Sequence, residues 1–190
     1  MDAERFPPLL ARARSGDQQA FGELWQSFNP MLTRFLVSMA GRNDADDLAS
    51  TVWIDVVRSL DVFTGDHAAF RAWLFTLARR RLIDQRRREK RRPRTAPGRA
   101  DHQTIDDVDP GSLVAGAAST EAALAFIGSL PADQAEIVLL RVVVGLEVNE
   151  VAVIVDKKPG TVRVLAHRGL RRLAEQLAAR PASPGEDVTR

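Results

Sequence analysis

Apolar residues recur at every third or fourth position through most of this 190-residue chain. Side chains four residues apart lie on the same face of an α-helix. The clearest run of this kind is Leu48, Val52, Val56 and Leu60. No segment alternates apolar and polar residues over a useful length, as a half-buried strand would. The sequence therefore predicts an all-α fold.

The helical pattern falls into two blocks, which we assign to residues 1–92 and residues 120–180. Between them, in residues 93–119, the periodicity disappears, and Pro, Gly, Ala, Ser and Asp dominate. This composition predicts a flexible acidic linker, and residues 181–190 are expected to form a disordered tail. The expected architecture is two small helical domains, the second a four-helix helix-turn-helix domain without a wing.

Local signals suggest where the helices of the first block begin. Asp17 is expected to cap one helix, and Pro30 suits the first turn of a second. Asn43 and Asp44 offer caps for a third helix. The longest helix is expected to run from about residue 68 to residue 92, because a proline follows.

The second block contains a helix dense in Val, Ile and Leu from Pro131 to Val144, which we expect to be its buried centre. A short helix from Glu147 to Val155, a tight turn, and a last helix from Pro159 to about Ala179 follow. This layout is typical of a helix-turn-helix, in which the second helix reaches base edges. An ordinary helical hairpin would show the same pattern. The apolar stripe expected on the last helix consists of Val162, Leu165, Ala166, Gly169, Leu170, Leu173 and Leu177.

Charge is distributed unevenly, although the formal net charge is only +2. Residues 71–99 contain 12 basic and 2 acidic residues, and residues 100–140 contain 7 acidic residues and no basic one. Residues 141–190 are basic again, with 9 basic and 6 acidic residues. Two basic segments separated by an acidic one suggest two contacts with one polyanion. A solvated arginine-rich helix face is the alternative.

Two long stretches carry a family resemblance. Residues 44–92 read DADDLASTVWIDVVRSLDVFTGDHAAFRAWLFTLARRRLIDQRRREKRR, and residues 130–177 read LPADQAEIVLLRVVVGLEVNEVAVIVDKKPGTVRVLAHRGLRRLAEQL. In order and register, both resemble the extracytoplasmic-function (ECF) subfamily of sigma factors in the sigma-70 superfamily. The resemblance implies a cytoplasmic protein without catalysis, cofactor or metal of its own. Such a protein binds core RNA polymerase and directs promoter recognition, DNA melting and transcription initiation.

The resemblance also implies three binding surfaces. Residues expected to bind the clamp helices of the largest polymerase subunit are Asp46, Asp47, Leu48, Ser50, Thr51, Trp53 and Ile54. Residues expected at the minus-ten element are Asp61, Phe63, Thr64, Gly65, Asp66, His67, Phe70, Trp73, Arg79, Arg80, Asp84, Arg87 and Arg88. Residues expected to read the minus-thirty-five element are Pro159, Gly160, Thr161, Arg163, Val164, His167, Arg168 and Arg171. Further implied partners are the flap of the second-largest polymerase subunit and an anti-sigma factor.

The residue chemistry suits a DNA-melting site. Unstacking DNA costs a few kcal/mol per step, which stacking on aromatic side chains can offset. Phe63, Phe70 and Trp73 lie just ahead of the basic segment and could supply that stacking. Core packing is the alternative reading, which we favour for Trp73 and leave equally open for Phe70.

The chain departs from the family pattern at several positions. Ser50-Thr51 stand where Gln-Glu is common, and Arg80 stands where Asn is common. Glu147 and Lys158 replace small hydroxyl caps, each worth about 1 kcal/mol. Val164 lies in a stretch that is often polar, so a promoter sequence cannot be carried over directly.

The sequence also bears on two other functional classes. A polymerase-independent regulator would explain residues 130–177 but would leave the arginine-rich helix and the Phe63 loop without a role. An enzyme is disfavoured because the three histidines are scattered and no glycine-rich phosphate loop occurs. Asp44, Asp46 and Asp47 could suggest a magnesium site, but at a helix start they more simply favour the helix dipole.

Cellular context can also be predicted. The chain contains no cysteine, which excludes a disulfide framework and a thiolate zinc site. The first residues lack a cationic leader followed by an apolar core. No apolar run approaches the roughly 20 residues that span a bilayer. We therefore expect a cytoplasmic protein without membrane insertion.

Overall fold

The computed structural model describes residues 3–91 and 115–178, with side chains from residue 122 onward in the second range. Within these ranges the fold is all-α, without strands, so the predicted fold class is confirmed. The eight α-helices found there are α1 (Phe6–Arg14), α2 (Gln18–Ala40), α3 (Arg42–Ser59), α4 (His67–Arg91), α5 (Ala115–Gly128), α6 (Ala132–Val138), α7 (Val148–Val155) and α8 (Pro159–Ala178). Most of the predicted linker and the whole predicted tail beyond residue 180 lie outside the described residues.

Helices α1 to α4 pack around an aromatic core. Helix α2 contacts α1, α3 and α4, and α3 also packs against α4. Five phenylalanines on α1, α2 and α4 are almost completely buried: Phe6, Phe28, Phe35, Phe70 and Phe75. Aromatic side chains of this size bury large apolar areas, and they account for much of the stability of a small block.

Asp17 caps α2 as predicted. Its Oδ1 accepts hydrogen bonds from the backbone N–H groups of Gln19 at 2.9 Å and Ala20 at 3.0 Å. Arg12 donates to the other carboxylate oxygen at 2.8 Å. The hydrogen bond from Ala20, and then the one from Arg12, hold the pKa of Asp17 below its usual value.

Two predicted helix starts in the first block are wrong. Helix α2 continues without a break through Pro30, although an internal proline typically costs about 3 kcal/mol. Its buried face extends on both sides of the proline, through Leu24, Leu32 and Leu36, and this burial offsets the cost. Helix α3 begins at Arg42 after Gly41, which has a positive φ of 85°, so neither Asn43 nor Asp44 is its cap. Asp44 lies in the first turn instead, where its charge favours the helix dipole.

The second block differs from its prediction at two points. Helix α5 begins at Ala115, so the end of the predicted linker is helical. The helix that begins at Ala132 changes to π geometry over Leu139–Val143, and the N–H of Val144 donates to the carbonyl of Leu139 at 3.0 Å. The predicted burial of this helix is confirmed at Leu139 and Leu140, which have no exposed surface, but not at Val142, which is 58% exposed.

Helices α7 and α8 form the predicted helix-turn-helix. The turn between them contains Asp156, which adopts a left-handed conformation with φ of 54°, and Pro159 is the first residue of α8. Glu147 lacks a hydroxyl cap, but its backbone N–H donates to the Glu150 carboxylate at 2.5 Å. This bond compensates in part for the missing hydroxyl at the start of α7.

Helix α8 lies close to the centre of the second block at Gly169. A Cβ atom at this position would come within 2.8 Å of the Val138 side chain. Only Val162 and Gly169 of the predicted apolar stripe are buried, whereas Leu170 and Leu177 are exposed. Leu165, Ala166 and Leu173 are partly buried against the core. The predicted stripe is therefore confirmed except at Leu170 and Leu177.

The two blocks pack directly against each other. Helix α2 contacts α5, α6 and the π segment, and α4 contacts α7. Buried residues of both blocks belong to one continuous hydrophobic cluster. The first helix of the helix-turn-helix thus lies on the helix that carries most of the predicted minus-ten residues.

Candidate polymerase and promoter surfaces

The predicted polymerase-binding residues divide between the surface and the core of α3. Asp46, Asp47, Ser50 and Ile54 are exposed on its outer face, with Ile54 retaining 49% of its side-chain exposure. Thr51 is half-buried and donates its hydroxyl to the Asp47 carbonyl at 2.8 Å. The exposed residues combine two carboxylates with an apolar side chain, which is a composition suited to a protein interface.

Leu48 and Trp53, the other two residues of that set, are buried. The Trp53 indole Nε1–H donates to Asn29 Oδ1 on α2 at 2.9 Å, and its ring meets Phe21 edge-on. Trp53 therefore holds α3 against α2, and Leu48 belongs to the core of the first block.

The loop before α4 is open to solvent and mostly polar, although Val62 within it is 80% exposed. Asp61, Thr64, Gly65 and Asp66 are exposed. Asp66 also begins α4, because its Oδ1 accepts a hydrogen bond from the backbone N–H of Ala69 at 2.8 Å. Gly65 is needed here, since its φ of 151° is rare for other residues and a Cβ would lie 2.6 Å from that of Ala69.

The aromatic residues near this loop form a packed cluster. Phe70 has no exposed surface and lies with its ring centroid 4.9 Å from that of Phe28. Phe63 is also buried, and it stacks on the half-buried Trp73 with ring centroids 4.8 Å apart. His67 lies against the same group, 5.3 Å from Phe28. Phe63 and Phe70 therefore belong to the core beneath the loop. Trp73, for which core packing was favoured, packs against that core but stays half-buried.

The consecutive arginines 79–81 have three different surroundings. Arg79 Nε donates to Glu136 Oε1 at 2.9 Å, across to the second block. Arg81 binds both carboxylate oxygens of Asp55 on α3, and this hydrogen bond raises the pKa of the guanidinium. Arg80, which replaces the asparagine common in the family, is exposed. Beyond it, Asp84 is half-buried, while Arg87 and Arg88 are exposed on the last turns of α4.

The predicted minus-thirty-five residues share one exposed face of α8. All eight are exposed: Pro159, Gly160, Thr161, Arg163, Val164, His167, Arg168 and Arg171. Arg163, Val164, His167, Arg168 and Arg171 line a shallow groove of about 620 Å³, which Gln134 on α6 and Arg172 complete. Arg171 also forms an exposed ion pair with Glu175 at 3.3 Å. A basic, open face at the start of a braced helix is what base and phosphate contacts require.

Comparison with known proteins identifies the family. Residues 24–92 match the family described as Sigma-70 region 2, and residues 120–173 match Sigma-70, region 4. The ECF RNA polymerase sigma factor SigD of Mycobacterium tuberculosis (strain ATCC 25618 / H37Rv) is 30% identical over 184 residues, covering 94% of this chain and 87% of the relative. This chain belongs to the ECF sigma factors. It is accordingly a transcription factor that works with RNA polymerase in promoter-directed initiation.

Other relatives support the same assignment. The ECF RNA polymerase sigma factor BldN of Streptomyces coelicolor is 30% identical over 177 residues, which cover 93% of this sigma factor and 67% of the relative. The sigma factor RpoE of Bartonella quintana, solved in complex with the anti-sigma factor NepR, is 25% identical with a TM-score of 0.67. That match covers 84% of the chain and 97% of RpoE.

The sequence prediction missed two apolar residues of the sigma factor that belong with the exposed face of α3. Val57 lies one turn beyond Ile54 and is 57% exposed. Trp25 on α2, 43% exposed, lies between Phe21 and Asn29, the two residues that contact Trp53. The sequence signal that could have revealed Val57 and Trp25 is an apolar residue at a position of the helical repeat that faces solvent. None of the helices in the described ranges is long and apolar enough to cross a membrane.

Proposed function

We propose that this sigma factor reads the minus-thirty-five element with the exposed face of α8. The observation that carries the proposal is that every predicted residue of this face is exposed while Val162 and Gly169 anchor the opposite face in the core. Arg163, Arg168 and Arg171 supply guanidinium groups for guanine edges or phosphates. Val164 is 48% exposed and offers apolar contact for a thymine methyl group.

The minus-ten element is assigned to the loop from Asp61 to Asp66 and to the exposed arginines of α4. The loop offers polar groups to unstacked bases, and Arg80, Arg87 and Arg88 lie beyond it for the adjoining phosphates. Trp73 supplies the aromatic surface for stacking, because Phe63 and Phe70 are buried. Arg79 completes this surface once it is released from Glu136.

Core polymerase is assigned to the outer face of α3 together with Trp25. Asp46, Asp47 and Ser50 provide polar contacts, and Ile54 and Val57 provide exposed apolar area. These residues carry the assignment to the clamp helices, and the flap of the second-largest subunit is proposed as a partner of the second block. Two attachments to one enzyme would raise the effective concentration of each DNA-reading surface at its element.

An anti-sigma factor is proposed as a further partner, and the cytoplasm as the location. The similarity to RpoE, which was solved with the anti-sigma factor NepR, supports the partner. The exposed apolar residues of α3 would be the area that such an inhibitor covers in competition with polymerase.

Run-off transcription tests the proposed function. Purified core polymerase is incubated with fragmented genomic DNA, with and without the sigma factor, and the new transcripts are mapped. Discrete new start sites, with shared sequences upstream at both elements, are the expected result. If no new start sites appear and the protein does not co-elute with core polymerase, the proposal is overturned and a polymerase-independent regulator is favoured.

A further inference from the structure

Arg79 spans the contact between the two blocks. This α4 residue lies in the predicted minus-ten surface, yet its Nε donates to Glu136 Oε1 on α6 at 2.9 Å. The exposed fractions of the two side chains are only 23% and 13%. Removing one partner of an ion pair that is mostly shielded from water leaves the other charge uncompensated, which costs more than it would on an open surface.

A second bond from the same guanidinium strengthens this contact. Arg79 Nη2 donates to the backbone carbonyl of Val155 at 3.3 Å. Val155 is the last residue of α7, where carbonyl groups lack helical partners and the helix dipole favours a cation. One side chain of α4 therefore binds both α6 and the first helix of the helix-turn-helix.

Neighbouring residues extend this contact between the two blocks, which we call the seam. Arg71 lies about two turns before Arg79 on α4, and its guanidinium approaches the loop before α7. A Cβ on Gly145 in that loop would lie 3.7 Å from Arg71 Nη1. At the other end of the contact, a Cβ on Gly128 would lie 3.9 Å from the Ser38 carbonyl of α2. The seam is thus continuous from α4 to α2, and Arg79 forms an ion pair across it.

This arrangement is too compact for two separate promoter elements. Helix α7 contacts both α4 and α8, so the axes of α4 and α8 lie within roughly 20 Å there, at about 10 Å per helix contact. Elements centred near minus ten and minus thirty-five are about 25 base pairs apart, or roughly 85 Å along B-form DNA. The blocks must separate before α4 and α8 can reach both elements.

We propose that the structure is a closed resting form of the free sigma factor, latched by the Arg79–Glu136 ion pair. The inference rests on the proposed function, because Arg79 is assigned there to minus-ten DNA. Arg79 cannot bind Glu136 and a promoter phosphate at once. Promoter binding therefore takes the guanidinium from the latch, and opening the latch makes Arg79 available for DNA.

Distance measurement between spin labels tests the latch without polymerase or DNA. Because the chain contains no cysteine, labels on Gln18→Cys in α2 and Ala174→Cys in α8 would be the only ones. Both positions are exposed and lie outside the seam and the proposed binding surfaces. The labelled protein should show one dominant distance, shorter than the distance in the open form.

Glu136→Gln, which removes the charge and keeps the shape, should raise the ratio of open to closed protein. The expected change is on the order of tenfold to a hundredfold, the range for a lost charge-assisted hydrogen bond. Asp133→Asn is the matched control, since Asp133 lies on the same helix but pairs with Lys157 inside the second block at 3.1 Å. This control should leave the distance unchanged.

A charge exchange separates the latch from simple damage to the fold. Arg79→Glu combined with Glu136→Arg should restore part of the closed population that either change alone removes. In the complex of the unsubstituted labelled protein with core polymerase and promoter DNA, the short distance should disappear. Equal distance distributions for the unsubstituted protein and Glu136→Gln, or a short distance that persists in the promoter complex, would overturn the latch. Run-off transcription tests the proposed function separately, so either idea can fail alone.

Discussion

Arg81 on α4 and Asp55 on α3 form a two-pronged ion pair, with Nε 2.5 Å from Oδ2 and Nη2 donating to Oδ1. The two side chains keep only 27% and 19% of their exposure. The pair ties the helix of the proposed polymerase surface to the helix of the proposed minus-ten surface. Bidentate pairs of this kind add geometric specificity as well as energy.

Removing one partner of that pair should destabilise the first block. We expect Asp55→Ala to lower the free energy of unfolding by about 1.5–3 kcal/mol, the range for a hydrogen bond to a charged group. Arg81→Lys should recover little, because an ammonium cannot form the two parallel bonds. Urea unfolding of Asp55→Ala, of Arg81→Lys and of the double variant gives the coupling energy between the two side chains. A coupling near zero would show that the pair contributes nothing.

Two glycine-to-alanine changes should have opposite effects on stability. Gly22 lies inside α2 with no atom within 4 Å of a built Cβ, so Gly22→Ala should stabilise by about 0.5–1 kcal/mol. Gly169→Ala would place its Cβ 2.8 Å from Val138 and should destabilise by about 1–3 kcal/mol. Thermal unfolding of both variants decides the point. A stabilising Gly169→Ala would mean that α8 does not approach α6 this closely.

The Asp17 cap should make stability depend on acid pH. Its pKa is lowered in the folded protein, mainly by the hydrogen bond from Ala20 N–H. The stabilisation is therefore complete above the pKa of the unfolded chain, about 4, and is lost as pH falls through the lower folded pKa. Asp17→Asn keeps a capping oxygen and should flatten this part of the profile. Urea unfolding between pH 2 and pH 7 measures it, and identical profiles for both proteins would contradict the assignment.

Buried and exposed residues of the predicted polymerase set should respond differently to a negative charge. Leu48→Asp should unfold the first block, losing more than about 3 kcal/mol, because Leu48 is only 7% exposed. Ile54→Asp should leave stability nearly unchanged and weaken binding to core polymerase at least about tenfold. Circular dichroism and co-elution with core polymerase distinguish the two. Full polymerase binding by folded Ile54→Asp would remove this face from the interface.

Arg168 should contribute to promoter binding without a role in folding. Arg168→Ala is expected to weaken binding by about 1–3 kcal/mol if the guanidinium reads a guanine. Arg34→Ala, an exposed arginine on α2 outside the proposed surfaces, is the matched control. Transcription from the mapped promoters measures both. Equal activity of the two variants would exclude Arg168 from the DNA surface.

The sequence predicted helix positions correctly where apolar periodicity and the residues typical of helix ends agreed. The run from Leu48 to Leu60 is buried as its spacing predicts, and Pro159 begins α8 because a proline suits the first helical turn. Pro30 led to a wrong prediction of a helix start, because burial of the apolar face of α2 outweighs the local preference of proline for a first turn. The π segment at Leu139–Val143 had no sequence signal, because its buried apolar residues suit an ordinary helix equally well.

The candidate sites were predicted in part. The exposed face of α8 follows from the helical line of Arg163, His167 and Arg171. The burial of Phe70 depends on α1 and α2, which contribute Phe6 and Phe28 from distant parts of the chain. Phe63 in turn packs on Phe70 and Trp73. The bond from Arg79 to Glu136 joins residues 57 positions apart, and no local pattern reports such a contact.

The different surroundings of the arginines at positions 79–81 affect how DNA binding responds to ions. A guanidinium releases condensed counterions from DNA only when it meets a phosphate. Arg81 remains with Asp55, and Arg79 remains with Glu136 for as long as the blocks stay closed. The fall of DNA affinity with rising ionic strength would then report the number of arginines that can contact phosphates. This number is smaller than the number of arginines in the sequence.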